Sequence, residues 1–183
     1  TGPISGRPKS ATFRTADVVG IDTLVKVAKN TYADCPNDES RDMFIVPAYV
    51  EKLIENKWLG DKTGNGFFKK VKNAEGKSEI HVLNLKTFEY TPSAKAKFAT
   101  VDAAKQIDDV KSRIKALHHG TDKAGDFYRN VTALVNKYVS FRIPEIADEL
   151  YKIDDAVKAG FGWELGPFET WDVLGVEKTA QMM

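Results

Sequence analysis

Near the start of the chain, Lys9-Ser10-Ala11-Thr12-Phe13-Arg14 sets two hydroxyls and two cations just ahead of a helix. Unpaired N–H groups and the positive end of a helix dipole suit an anion there. Ser10, Thr12 and Arg14 are therefore the candidate substrate-binding residues, although N-capping and loop packing would call for the same residue types. Glu164, Glu169 and Asp172 have the look of paired carboxylates for acid–base work, but their spacing equally fits negative charge capping the last helix. His118 and His119 fall at a helix end, where a cation opposes the dipole, and His81 falls in a hairpin. None has a Cys, Asp or Glu at ligand spacing, so neither a metal nor a catalytic residue is assigned. Lys69, Lys70, Lys72 and Lys77 could meet a phosphate as point charges, or serve as the solvated edge of a hairpin. Cys35 beside Pro36 reads as a passive thiol. Lys62-Thr63-Gly64-Asn65-Gly66 lacks the Gly-Lys-Ser/Thr order of a phosphate loop and reads as a turn. Trp163, Phe168 and Trp171 read as core packing.

The elements that must position these residues are mostly helices. Val18, Val19, Ile21, Leu24, Val25 and Val27 recur at helical spacing over 16–30, with Thr15 as the N-cap. A polar stretch follows, and Pro47 opens a second helix running to about Trp58. Gly60, Gly64 and Gly66 stop it. The period then changes: Phe67, Phe68 and Val71, the turn-like 73–77, and Ile80, Val82 and Leu85 predict a β-hairpin closed by Pro92. Thr100 caps a long amphipathic helix ending at His118-His119-Gly120. Another long helix carries Phe127, Val131, Leu134, Val135, Tyr138 and Val139. A further one runs through Ile146, Leu150, Ile153 and Val157 to Gly160, and a short last helix spans 167–174 between Pro167 and Gly175.

With 183 residues the chain can bury a substantial core, and 42% hydrophobic with 29% charged residues exclude a disordered tail. Lys and Arg number 27 against 26 for Asp and Glu, a balance that argues against nucleic acid as a partner. The most apolar run, 43–50, contains Pro47 and is far shorter than a membrane span. No signal peptide opens the chain and one cysteine cannot close an internal disulfide. A cytoplasmic location is the expectation.

Self-similarity adds a further constraint. Residues 13–22 align with 168–177 at a constant offset of 155, with Phe, Thr, Asp, Val and Gly identical in register. Each copy reads as a helix entry and stop. The first lacks room for the helix that precedes the second, and the second ends where the first continues into its hairpin. The expectation is two truncated repeats, 1–92 and 100–183, in one compact unit cut from a longer protein.

The repeat residues also carry a family resemblance. The run 162–176, GWELGPFETWDVLGV, resembles the GPFE-x-x-D-x-x-G signature of the C-terminal helical domain of 3-hydroxyacyl-CoA dehydrogenases. Residues 59–68, LGDKTGNGFF, resemble that domain's LG-x-KTG-x-GFY segment, with Phe68 at the usual Tyr. With 6–23, GRPKSATFRTADVVGIDT, the likeness covers nearly the whole chain. It implies a mainly α fold, a helical bundle of that C-terminal type with one small β-hairpin insert. It also implies NAD-dependent oxidation of a 3-hydroxyacyl-CoA to the 3-ketoacyl-CoA in fatty-acid β-oxidation. In such enzymes a Rossmann domain holds NAD and the catalytic His-Glu pair. Gly64-Asn-Gly66 fails the third position of a dinucleotide loop, so NAD is expected in a domain of the parent enzyme outside this segment. The partners implied are the acyl-CoA substrate, met at Ser10, Thr12 and Arg14, the parent's own Rossmann domain, and a second subunit in a homodimer. Phe141-Arg142-Ile143 stands where the family commonly has the Asn-Arg pair of its substrate contact, which keeps a non-catalytic helical interaction scaffold as the alternative.

Overall fold

The computed structural model describes residues 2–9, 12–94 and 96–181. It divides into two compact units: Ser10–Lys95, and a second formed by Thr1–Lys9 together with Ala96–Met183. The first nine residues thus group with the C-terminal part of the chain and not with the segment that follows them.

The unit Ser10–Lys95 contains α1 (Thr12–Val19), α2 (Ile21–Asp34) and α3 (Ala48–Glu55), then β1 (Phe68–Lys72), β2 (Ser78–Leu83) and β3 (Tyr90–Pro92). The continuous helix expected over 16–30 is two helices. Gly20, at φ 104°, breaks it in a conformation L side chains rarely adopt, so a glycine inside an apolar period is here a corner. The hairpin gains a third strand: antiparallel order β1-β2-β3, with Phe68 opposite Val82 and Leu83 opposite Tyr90. Asn73 makes the first turn, its Oδ1 accepting from the amides of Glu75 and Lys77, and Asn84 repeats the device with Lys86. Ile21 and Leu53 are fully buried, with Val25, Val50, Phe67 and Leu83 around them. Trp58, Phe88 and Tyr90 cover that cluster.

The second unit contains a 3-10 turn (Pro3–Ser5), α4 (Ala99–Ala104), α5 (Val110–His119), α6 (Lys123–Ser140), α7 (Leu150–Phe161), α8 (Pro167–Leu174) and α9 (Val176–Ala180). The single helix expected from Thr100 to Gly120 is broken, because Asp109 adopts an extended conformation and caps α5 through the Ser112 amide. Residues 141–149 form turns and bends and no helix before α7, and Pro144 disfavours helical backbone at Ile143 within them. That helix ends at Gly162, at φ 64°, two residues beyond the expected stop. Asp122 caps α6 with one oxygen on the amides of Ala124 and Gly125 and takes the Thr100 amide with the other, joining α4 to α6.

The fold is mainly α with one small antiparallel sheet, as the sequence implies. Among the described residues no helix is long and apolar enough to cross a membrane, and no group of three His, Cys, Asp or Glu could hold a metal ion.

Candidate functional site

Of the residues proposed for substrate, Thr12 and Arg14 lie in the first turn of α1. Thr12 is exposed in its first turn, and Ser10 lies outside the described residues. Arg14, also exposed, makes a bidentate pair with Asp61, Nη1 to Oδ1 at 2.6 Å and Nη2 to Oδ2 at 2.7 Å. The pair uses two of the five guanidinium N–H donors and leaves three. The Asp61 carboxylate raises the Arg14 pKa, and the Arg14 guanidinium lowers that of Asp61.

One turn further along α1, Asp17 is buried, and its two oxygens accept from the amides of Phe67 and Phe68, each at 2.8 Å. Burial pushes its carboxyl pKa up, while the two amides pull the other way. The segment Gly60–Phe68 wraps this carboxylate. A Cβ at Gly60 would overlap the Asp17 backbone, and one at Gly66 would overlap the Asp17 carboxylate. Thr63 closes the wrap, its hydroxyl accepting from the Leu59 amide at 2.9 Å, and the Tyr90 hydroxyl donates to the Gly66 carbonyl at 2.7 Å. Lys62-Thr63-Gly64-Asn65-Gly66 is therefore a turn around Asp17. It does not fit a dinucleotide: Gly66 is filled by Asp17 and the segment leads into a strand, not into a helix N-terminus.

A second carboxylate clasp lies in the other unit. Asp154 of α7, buried, accepts from the amides of Phe168 and Glu169 at the start of α8, at 2.8 and 3.0 Å. Glu169 accepts from the Gly166 amide at 2.8 Å and pairs with Lys158 at 2.7 Å, so it caps α8. Lys158 foremost, then that amide, holds its carboxyl below the ordinary range. Glu164 and Asp172 are exposed, and the three acids make no acid–base cluster.

Two residues of the same unit escaped sequence reasoning. His118, placed at a solvent-facing helix end by its spacing, is 7% exposed, and its Nδ1 is buried without a hydrogen-bond partner. Arg7, inside the run 6–23 but given no role there, lies over the Trp163 ring, 3.9 Å from the centroid. The amphipathic period of α5 puts 118 next to the buried Leu117, a usable signal for the first; nothing local marks Arg7.

Comparison with known proteins agrees with the motifs. Residues 5–70 match the model of the 3-hydroxyacyl-CoA dehydrogenase C-terminal domain. The whole chain is 44% identical, over 183 residues, to a Bacillus subtilis protein named as a probable 3-hydroxyacyl-CoA dehydrogenase, of which it covers 22%. It is 28% identical over 167 residues, 90% of the chain, to a Rickettsia felis protein named for a fatty acid oxidation complex trifunctional enzyme, of which it covers 21%. A Deinococcus radiodurans protein, also named as a probable 3-hydroxyacyl-CoA dehydrogenase, is 40% identical over 77 residues, 42% of the chain and 21% of that protein. Residues 5–70 thus match this C-terminal domain, and the chain as a whole is similar to proteins named as 3-hydroxyacyl-CoA dehydrogenases. It spans about a fifth of the length of the relatives it matches.

Proposed function

We propose that the chain is the helical substrate-binding and assembly segment of an NAD-dependent 3-hydroxyacyl-CoA dehydrogenase, acting on acyl-CoA together with a Rossmann domain and not catalytic alone. The observation that carries this reading is the 44% identity along its full length to a protein bearing that dehydrogenase name. NAD and the catalytic His-Glu pair are assigned to the Rossmann partner; for NAD, the glycine segment that encloses a carboxylate here supports the assignment. Thr12 and the three spare donors of Arg14 are offered to the acyl-CoA, and Ser10, outside the described residues, is assigned the same role. Asp61 holds the guanidinium in place, so the fork meets its ligand with less loss of side-chain freedom. The parent enzyme pairs two such subunits.

Calorimetric titration of this chain with acetoacetyl-CoA, with NADH in a parallel cell, tests the proposal. Heat with the first and none with the second is expected, with Thr12→Ala and Arg14→Gln each weakening acetoacetyl-CoA. No heat with either ligand leaves the second reading, a helical interaction scaffold. The observation favouring that reading is Phe141-Arg142-Ile143 standing where the family commonly has an Asn-Arg pair.

A further inference from the structure

A cleft in the second unit is lined by Ser5, Arg7, His118, Tyr128 and Thr132, with Ile114, Leu117, Phe127 and Trp163 among its apolar walls. The structure builds it deliberately. Arg113 donates from Nε to the Ile4 carbonyl at 2.9 Å and from Nη2 to that of Pro3 at 3.3 Å, and the Glu164 amide donates to the Gly6 carbonyl at 2.8 Å. These bonds pin residues 3–6 against α5 and the approach to α8, and so fix Ser5 and Arg7 at the cleft. Ser5 shares a hydrogen bond with the Tyr128 phenol.

Two residues of the cleft lining, Arg7 and His118, carry polar groups without a charge or hydrogen-bond partner among the described residues. Arg113, Arg129 and Arg142, the other arginines of the unit, each face a carboxylate: Glu164, Asp126 and Glu145. Arg7 alone among the unit's described arginines has no carboxylate paired with it, though it is half-buried and stacked on Trp163. A desolvated guanidinium without a counter-charge is costly. His118, more than nine-tenths buried, presents an Nδ1 with no partner. A buried polar atom left unpaired carries a similar cost.

We infer that this cleft binds a small carboxylate with a flat apolar body: Arg7 and the Nδ1–H of His118 meet the carboxylate, and Trp163, Phe127, Ile114 and Leu117 take the body. One guanidinium and one neutral imidazole match a single negative charge. Burial foremost, then His119, Arg129 and Lys178, lowers the His118 pKa, so the imidazole donates without adding a second charge. A phosphate dianion would meet too little positive charge here. This site is additional to the acyl-CoA reading above, and its test uses no CoA ester.

Titration of the intact chain with benzoate, and in parallel with its uncharged isostere benzamide, is followed by NMR at the Trp163 indole and His118 ring signals. Saturable benzoate shifts at both, with benzamide weaker by roughly tenfold or more, are expected. Arg7→Gln should bring benzoate to the benzamide level. Because the wild-type comparison needs no substitution, a variant that fails to fold leaves the test intact. Equal affinity for the two ligands, or no saturable shift at Trp163, overturns the inference.

Discussion

The two copies of the aligned motif share a backbone and differ in what they do with it. Helix α1, Thr12–Val19, and helix α8, Pro167–Leu174, have the same bounds once shifted by 155 residues. Each ends at a glycine of positive φ, 104° at Gly20 and 90° at Gly175, that starts another helix. Asp17 is 1% exposed and binds two amides, whereas Asp172, its counterpart, is exposed. Phe13 is 47% exposed and Phe168 only 9%. The local sequence therefore encodes helix, corner, helix, and the segment packed against each copy decides which side chain is buried. The clasp of the C-terminal unit is built on Asp154, from the preceding helix, instead of from within the motif.

Substituting the aligned aspartates gives the sharpest test. Asp17→Ala orphans the amides of Phe67 and Phe68 and should cost about 2–4 kcal/mol, while Asp172→Ala should stay within about 0.5 kcal/mol. Urea unfolding measures both, and amide exchange at Phe67 and Phe68 locates the first; equal losses would break the comparison. Gly66→Ala drives a Cβ into the Asp17 carboxylate and should be far worse than Gly64→Ala. At Gly64 nothing is near and only the positive φ, 71°, adds about 1 kcal/mol.

Acid should separate the clasps next. The folded state holds the Glu169 pKa below its unfolded value, so its stabilisation is present above the unfolded value and is lost as pH falls through the folded one. Glu169→Gln should flatten the decline in stability below about pH 5, read as melting temperature against pH. An unchanged slope would show that Lys158 and the Gly166 amide contribute nothing there. The smallest stability effect belongs to Arg14→Ala. Its pair with Asp61 is about half-exposed on both sides and should be worth less than about 1 kcal/mol by thermal melting, even where acetoacetyl-CoA binding falls much further.

Features with local chemistry were legible in the sequence. The turns at Asn73 and Gly76, the α8 entry at Pro167 and its stop at Gly175 follow from residue types a few positions apart. Gly20 was misleading because one glycine inside a helical period carries the same signal whether the helix bends or continues. The short strand β3 and the clasp of Asp17 depend on partners far along the chain, 50 and 51 residues away for Asp17. Of the candidate substrate residues, the sequence located the helix start but not the partner of Arg14, since Asp61 lies 47 residues on. Arg7 was invisible for the same reason: the residues that fix its segment lie more than a hundred positions later.

The grouping of Thr1–Lys9 with Ala96–Met183 makes Ser10–Lys95 an excursion that the other unit must close before Arg113 can reach Pro3 and Ile4. Closing a flexible loop of roughly 90 residues costs ~4 kcal/mol in chain entropy. Folding of the excursion removes most of its freedom beforehand. The core around Ile21 and Leu53 thus acts as a clamp on chain topology, and loosening it should slow assembly of a unit in which neither residue takes part.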